Sequence, residues 1–180
     1  MDEIVNAALK KWPNVPHCHG WLALDARGDW YMRDDRVRAA GPFPRVKGSR
    51  ILHDKLREFI GRNFDHDEAG AWYFQNGPQR VYVELEAAPF VWRLQPSDPG
   101  PRIVSHTGRP AALRSVWLDE AGRVFLDTDI GFGLVHSLDV DLAADAVERG
   151  LWQPAELAFA DMPARFGYRL RPAAAPAAPR

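Results

Sequence analysis

The 180-residue chain has almost no cysteine, almost no net charge and no long apolar run. Its one cysteine, Cys18, cannot form an intrachain disulfide, and a chain without disulfides suits a reducing compartment such as the cytoplasm. A formal net charge of −1 provides no positive field to hold a phosphate backbone. No stretch approaches the roughly 18 apolar residues that a membrane span needs, and the acidic N-terminus is unlike a secretory signal. We therefore expect a soluble, cytoplasmic protein that binds neither nucleic acid nor membrane.

Catalytic and cofactor-binding motifs are also missing. The sequence contains no G-x-S-x-G, no P-loop, no G-x-G-x-x-G and no H-E-x-x-H. The pair Gly131 and Gly133 lacks the spacing of a phosphate-binding loop and is typical of a bent strand. Glu84 and Glu86 share one face of a predicted strand, but most carboxylate pairs of this kind face water. The sequence therefore predicts no cofactor and no catalytic residue, and it favours a non-enzymatic protein.

The chain is rich in core-forming residues. Hydrophobic residues make up 46% of it and include seven tryptophans, which is typical of a folded protein rather than a disordered one. Five of these tryptophans fall on predicted strands, where an aromatic stripe is more often core than binding surface. We expect most of the rings to be buried. Trp92 is predicted to lie nearest a functional surface, because Arg93 makes the other face of its strand partly wet.

Caps and apolar periodicity predict one central helix and the loop before it. Ser49 stands at an N-cap position, and Gly61 ends the pattern. The apolar stripe between them consists of Leu52, Leu56, Phe59 and Ile60. Residues 37–48, with two glycines and two prolines among scattered arginine and lysine, are predicted to form a solvated loop.

Two further helices are predicted near the ends of the chain. Asp2 can cap a short N-terminal helix that ends before Pro13. Asp139 or Asp141 can cap a helix that ends at Gly150. Both would pack an apolar side against neighbouring strands.

Strand signals dominate the remaining sequence. Residues 20–34 alternate apolar and polar side chains around a turn and predict a hairpin. Two runs rich in aromatic and β-branched residues flank Asn76, Gly77 and Pro78 and predict a second hairpin. Counted from this turn, six strand-like runs precede the last helix, as in an antiparallel meander that closes on itself.

These elements predict an α+β chain with two packed subdomains rich in antiparallel strands. Residues 1–15 would form the N-terminal helix, and 16–75 a small α+β subdomain. Residues 76–170 would form a partly closed β-barrel capped by a helix. Residues 171–180, rich in alanine and proline, would be a disordered tail.

The triplet His17, Cys18 and His19 is the most suggestive candidate for metal chemistry. In an extended segment the two imidazoles lie on one face, and imidazole and thiolate both suit zinc or copper. A structural metal site usually needs four ligands from separate segments, and no second pair at ligand spacing occurs. We therefore predict no metal site and a small buried thiol here. A metal-dependent enzyme that adds a carboxylate from elsewhere in the fold remains an alternative.

Two polar loops are candidates for a binding site. The first contains Asn76, Gln79 and Arg80 between two aromatic strands, and the second contains His106 and Arg109. Guanidinium groups with amide and imidazole groups suit a small anionic ligand, although both segments could also be ordinary turns. We expect a ligand-binding regulatory or signalling protein with this site at the subdomain interface. A protein-interaction module is the second alternative.

Several segments resemble a proteobacterial family of unknown function. They are KWPNVP, GWLALDARGDW, WYFQNGPQRVYVELEAAPF and HTG, within roughly residues 11–139. More weakly, the chain is similar to another bacterial family with two subdomains suggestive of duplication, the second similar to a pleckstrin-homology-type barrel. That similarity implies a ligand site between subdomains and a role in signalling. Gly77, Pro78, Gln79 and Arg80 occupy the place of its Thr-Pro-x-Glu-Lys segment, and Gln79 replaces the acidic residue.

Overall fold

The structure of the protein is a computed structural model that describes residues 1–172. These residues are 26% helix and 34% strand in two sheets, one of them a strongly curled half-barrel, so the predicted α+β class is confirmed. None of the described helices is long and apolar enough to cross a membrane. Of the predicted tail, only Arg171 and Pro172 are described, and the rest of it lies outside the described residues.

The helices and strands are as follows. The α-helices are α1 (Glu3–Lys11), α2 (Asp35–Ala40), α3 (Asp54–Arg62), α4 (Val140–Glu148) and α5 (Met162–Phe166). The first six strands are β1 (Cys18–Leu24), β2 (Trp30–Met32), β3 (Ser49–Arg50), β4 (Phe64–His66), β5 (Trp72–Asn76) and β6 (Gln79–Leu85). The other strands are β7 (Phe90–Gln95), β8 (Arg102–Ser105), β9 (Pro110–Ala111), β10 (Leu113–Leu118), β11 (Val124–Thr128), β12 (Gly131–Val135) and β13 (Pro154–Glu156).

The chain divides into two compact units, and neither is a single continuous segment. Unit 1 consists of Met1–Ala23, Trp30–Glu84 and, among the described residues, 169–172. Unit 2 consists of Leu24–Asp29 and Leu85–Tyr168. Each unit contains one of the two sheets.

Unit 1 contains a six-stranded sheet in the order β3-β2-β1-β6-β5-β4. The predicted hairpin at residues 72–85 is confirmed, since Asn76 pairs with Gln79 and Tyr73 with Tyr82. Helix α3 packs on β5 through an edge-to-face contact between the rings of Phe59 and Phe74. The sheet therefore has one face partly covered by α3.

The predicted solvated loop at residues 37–48 is partly wrong. Helix α2 occupies its beginning because Asp34 is an N-cap, with Oδ1 accepting a hydrogen bond from the Val37 N–H at 2.9 Å. Further along, Phe43 is buried among the core residues of unit 1. A capped helical turn and an anchoring aromatic ring thus order a segment whose composition indicates a loop.

The predicted central helix exists but begins later than Ser49. Ser49 and Arg50 pair with β2 as strand β3, and Leu52 is 71% exposed. The cap is His53, whose Nδ1 accepts a hydrogen bond from the Leu56 N–H at 3.3 Å. Strand pairing at Ser49 therefore displaces the helix start by one turn.

Unit 2 contains a seven-stranded sheet in the order β13-β10-β11-β12-β7-β8-β9. Most neighbours are antiparallel, but β12 pairs with β7 and β10 pairs with β13 in parallel. The sheet is therefore rich in antiparallel pairs, as predicted, but the predicted antiparallel meander is interrupted at these two pairings. The predicted last helix is confirmed as α4, preceded by a short 3-10 turn over Ser137–Asp139.

Trp92 lies at the centre of the unit 2 core. Its side chain is 0% exposed, its ring stacks on Phe90, and its Nε1–H donates to the Leu126 carbonyl at 3.2 Å. The prediction that Trp92 lies nearest a functional surface is wrong. Arg93 does face solvent, but it pairs with Asp139, so its exposure reveals nothing about the opposite face of β7.

Candidate functional site

A polar cleft of about 380 Å³ lies within unit 1. Its ionisable lining residues are His19 from β1, Arg33 just after β2, Arg38 from α2 and Glu84 from β6. Ligand pockets for small metabolites typically start at roughly this size. We call this site the polar cleft.

Arg33 is the buried, fixed member of the polar cleft. Only 3% of its side chain is exposed, its Nη1 donates to the Glu84 carboxylate, and its Nη2 donates to the Gly41 carbonyl at 2.7 Å. A buried guanidinium requires such partners, because desolvating an unpaired charge costs several kcal/mol or more. Its Nε is buried without a hydrogen-bond partner among residues 1–172. Arg33 therefore has one unused donor in the wall of the polar cleft.

Arg38 is the accessible cation of the polar cleft. Its Nη1 lies 3.2 Å from Asp35, in an exposed pair that contributes little to stability. Its Nε lies only 2.9 Å from where a Cβ on Gly20 would be, and Gly20 has a φ of +78°. Glycine at position 20 thus lets the guanidinium lie directly against the backbone of β1. Arg38 is positioned by two elements while its charge stays open to solvent.

His19 in β1 and His17, which directly precedes β1, both contact the Tyr82 ring, in keeping with the prediction that the two imidazoles share one face. The His19 ring stacks on Tyr82 with centroids 4.5 Å apart, and the His17 ring meets Tyr82 edge-on at 5.9 Å. Burial lowers the pKa of both imidazoles, helped by His17 for His19 and by Arg80 for His17. Both rings are therefore neutral at neutral pH. Among residues 1–172, the charges that line the polar cleft are then two guanidinium groups and one carboxylate.

The three residues of the His17-Cys18-His19 triplet do not converge. Cys18 lines an apolar groove together with Phe74 and Val81, whereas both imidazoles contact Tyr82. Across residues 1–172, no group of three or more histidine, cysteine or acidic side chains is arranged to hold a metal ion. The described geometry gives the metal-dependent alternative no ligand set.

Three of the predicted site residues lie together in unit 1. Asn76 and Gln79 flank the β5–β6 turn, and Gln79 donates from Nε2 to the Pro16 carbonyl at 2.9 Å. The Arg80 guanidinium lies over the Tyr73 ring, 4.4 Å from its centroid. Arg80 is four residues before Glu84 on β6, so both side chains belong to one face of the sheet.

The other two predicted site residues belong to unit 2. His106 lies in the β8–β9 turn, and its Nδ1 accepts a hydrogen bond from the Val91 N–H at 3.2 Å. Burial lowers the pKa of His106 to about 3, so the ring is neutral. Arg109 is exposed, and its N–H donates to the Ser105 hydroxyl. Because the five residues are divided between the units, their assignment to one ligand site stays a prediction.

Sequence reasoning missed Arg33, Arg38 and the role of Glu84. Arg33 lies at the end of the predicted hairpin of residues 20–34 and Arg38 among the scattered basic residues of the predicted loop, and Glu84 was predicted to face water. Two signals were available for this region: Asp34 as a helix cap and Gly20 next to Trp21 inside a strand. Neither signal reveals that Arg33 meets Glu84, which is 51 residues away along the chain.

The chain thus has an α+β architecture of two sheets, with a polar cleft in the first unit. The family model DUF2944, described as a protein of unknown function (DUF2946), matches residues 1–173, and the chain belongs to this family. The expected membership of a family of unknown function is confirmed. No curated protein matches the chain.

Two DUF1285 family proteins are among the solved structures to which the chain is similar. The protein from Silicibacter pomeroyi has a TM-score of 0.51 and 14% identity, covering 81% of this chain and 84% of that one. The protein from Shewanella baltica has a TM-score of 0.47 and 14% identity, covering 69% and 91% respectively. The first similarity shows a shared fold and does not extend to function.

Proposed function

We propose that this protein binds a small anionic metabolite in the polar cleft, as part of a regulatory or signalling role. The observation that supports this most directly is the pairing of Arg33 and Arg38 in one cleft of unit 1. With His19 neutral, the two guanidinium groups face one carboxylate among the described lining residues, that of Glu84. The polar cleft therefore favours a ligand that brings negative charge.

The chemistry of the two arginines suits carboxylate or phosphate oxygens. A guanidinium presents its donors in a planar fork that matches both groups, and charge-assisted hydrogen bonds are the stronger ones. Arg33 is held by Glu84 and the Gly41 carbonyl before any ligand arrives, so little conformational entropy remains to be lost. Arg38 then supplies the exposed charge that an incoming anion meets first.

A thermal-shift screen with nucleotides, inorganic phosphate and small carboxylic acids tests the proposal. A ligand at 100 times its Kd stabilises the folded protein by about 2.7 kcal/mol, or roughly 5–10 °C in Tm for a chain of this size. Arg38→Ala should remove most of that shift. Arg36→Ala is the matched control, because Arg36 is an exposed residue on the same helix outside the polar cleft.

Two results would contradict the proposal. One is a screen in which no anion raises Tm. The other is a stabilising anion whose effect is equally weakened, or equally retained, in Arg38→Ala and Arg36→Ala, since the charge at position 38 would then have no specific role.

A further inference from the structure

We propose that the ligand of the polar cleft carries an amino group beside its acidic group, as an α-amino acid does. This inference rests on the proposed anion binding and narrows its ligand class. It follows from the opposite charges of Arg38 and Glu84 in the same cleft.

One carboxylate oxygen of Glu84 is available to a ligand. Its Oε2 accepts from Arg33, whereas its Oε1 has no hydrogen-bond partner in the described part of the chain. The side chain is 20% exposed and lines the cleft. An ionised carboxylate can accept about four hydrogen bonds, so one contact to Arg33 leaves most of its capacity free.

The acceptor is also held in place. Arg33 bridges Glu84 and the Gly41 carbonyl, and it is itself almost completely buried. The carboxylate therefore keeps one orientation without a ligand, with its free oxygen available to an ammonium group. Such preorganisation reduces the entropy lost on binding.

Glu84 and Arg38 come from different elements, β6 and α2, so the fold sets the spacing between the acceptor and the donor. A purely anionic ligand at Arg38 would be repelled by Glu84. A ligand with an ammonium group turns that repulsion into a charge-assisted hydrogen bond. The cleft therefore discriminates by charge pattern as well as by total charge.

Pairs of ligands that differ only in the amino group test this inference on the wild-type protein. Calorimetric titration would compare each amino acid with its deaminated acid, for example glutamate with glutarate and aspartate with succinate. The N-acetylated amino acid is a third member of each set, because acetylation removes the ammonium charge and keeps the carboxylate. We expect at least one free amino acid to bind about tenfold or more tightly than both analogues, the usual effect of one hydrogen bond to a charged group.

Glu84→Gln supplies the second readout. The substitution should abolish the preference for the amino group, so that each amino acid and its deaminated acid bind the variant with similar affinity. Far-UV circular dichroism and the urea midpoint establish that the variant is folded, since Arg33 loses its charge partner. If the variant does not fold, the ligand sets on the wild-type protein still decide the question.

The outcomes separate this inference from the proposed function. If deaminated acids bind as tightly as free amino acids, or Glu84→Gln retains the preference, the amino-group assignment is overturned while anion binding stands. If neither the acids nor the amino acids bind, and phosphate and nucleotides also fail, both proposals are overturned.

Discussion

Gly133 lies opposite Phe90 in the parallel pairing of β12 and β7, and it leaves no room for a side chain. A Cβ at this position would lie 2.5 Å from Trp92 Nε1 and 2.6 Å from the Phe90 carbonyl oxygen. Real Cβ atoms do not approach other atoms so closely, so one strand would have to move. The small residue thus permits close packing of the unit 2 core around Trp92.

Gly133→Ala should therefore destabilise the protein by about 1–3 kcal/mol, the usual range for overpacking in a core. The urea unfolding midpoint measures this loss. Gly100→Ala is the control, because the nearest atom to its Cβ would be Leu151 Cδ1 at an ordinary 3.4 Å. Equal stability of the two variants would show that β12 can shift away from β7 at little cost.

At the scale of single residues, His106 makes the stability of the fold depend on pH. Its pKa is lowered by burial to about 3, against about 6.5 in an unfolded chain. Between these values the unfolded state binds more protons, so this contribution to stability is lost as the pH falls below about 6.5. We expect His106→Gln to lower the urea midpoint at about pH 7.5. Between about pH 7.5 and about pH 5, the urea midpoint of the variant should fall by less than that of the wild type. If the urea midpoint of the variant fell as much as that of the wild type, the acid sensitivity of the fold would come from other groups.

At the scale of elements, local signals predicted the hairpins well and the helix boundaries poorly. The hairpin around Asn76 and Gly77 was predictable because alternation and turn chemistry are properties of neighbouring residues. The start of α3 was not, because Ser49 is a good cap by type but pairs with β2 instead. The parallel contact of β12 with β7 depends on residues far apart in sequence, which no local pattern reports.

Helix α2 is the element on which Arg38 depends. It has six residues and buries none of them, so its stability depends mainly on its cap. Asp34→Ala removes the side-chain acceptor for the Val37 N–H and should cost about 1 kcal/mol locally. We expect faster hydrogen exchange of the Val37 amide and a several-fold weaker anion affinity, with little change in the global urea midpoint.

Asp34→Asn separates the cap from the charge. Both substitutions remove the negative charge near the polar cleft, but asparagine still caps a helix about as well as aspartate. The asparagine variant should therefore keep slow exchange at Val37 and keep its affinity for the anion. Similar exchange in both variants would mean that α2 is stabilised by something other than its cap.

For the whole molecule, the fold class could be predicted more completely than the candidate site. Composition and alternation are averaged over many residues, so single errors such as Trp92 do not change the α+β assignment. The site depends on individual long-range contacts. Arg33 and Glu84 acquire their roles only when β2, which Arg33 follows, and β6 take their places on either side of β1 in the unit 1 sheet. Neither residue type nor spacing indicates that meeting.

The division of the chain into two units also predicts how stable unit 2 is when it is produced as a separate fragment. Residues 24–29 precede the rest of unit 2 by more than 50 positions, yet they supply several of its contacts. The Leu24 carbonyl accepts from the Glu86 N–H at 3.0 Å, and the Glu86 carboxylate accepts from the Ala26 N–H at 3.0 Å. Gly28 lies so close to His106 that a Cβ there would be 2.9 Å from the His106 Cβ. This segment is therefore an integral part of the unit.

A fragment of residues 85–168 should consequently be less stable than unit 2 is within the full chain. It lacks the partner of the Glu86 N–H and the backbone that packs on His106, and each buried polar group left unpaired costs about 1–3 kcal/mol. Urea unfolding of the fragment, followed by the fluorescence of its three tryptophans, Trp92, Trp117 and Trp152, measures the loss. A fragment that carries residues 24–29 fused through a flexible linker should recover part of it. Equal midpoints for the two fragments would show that the segment contributes nothing to the stability of unit 2.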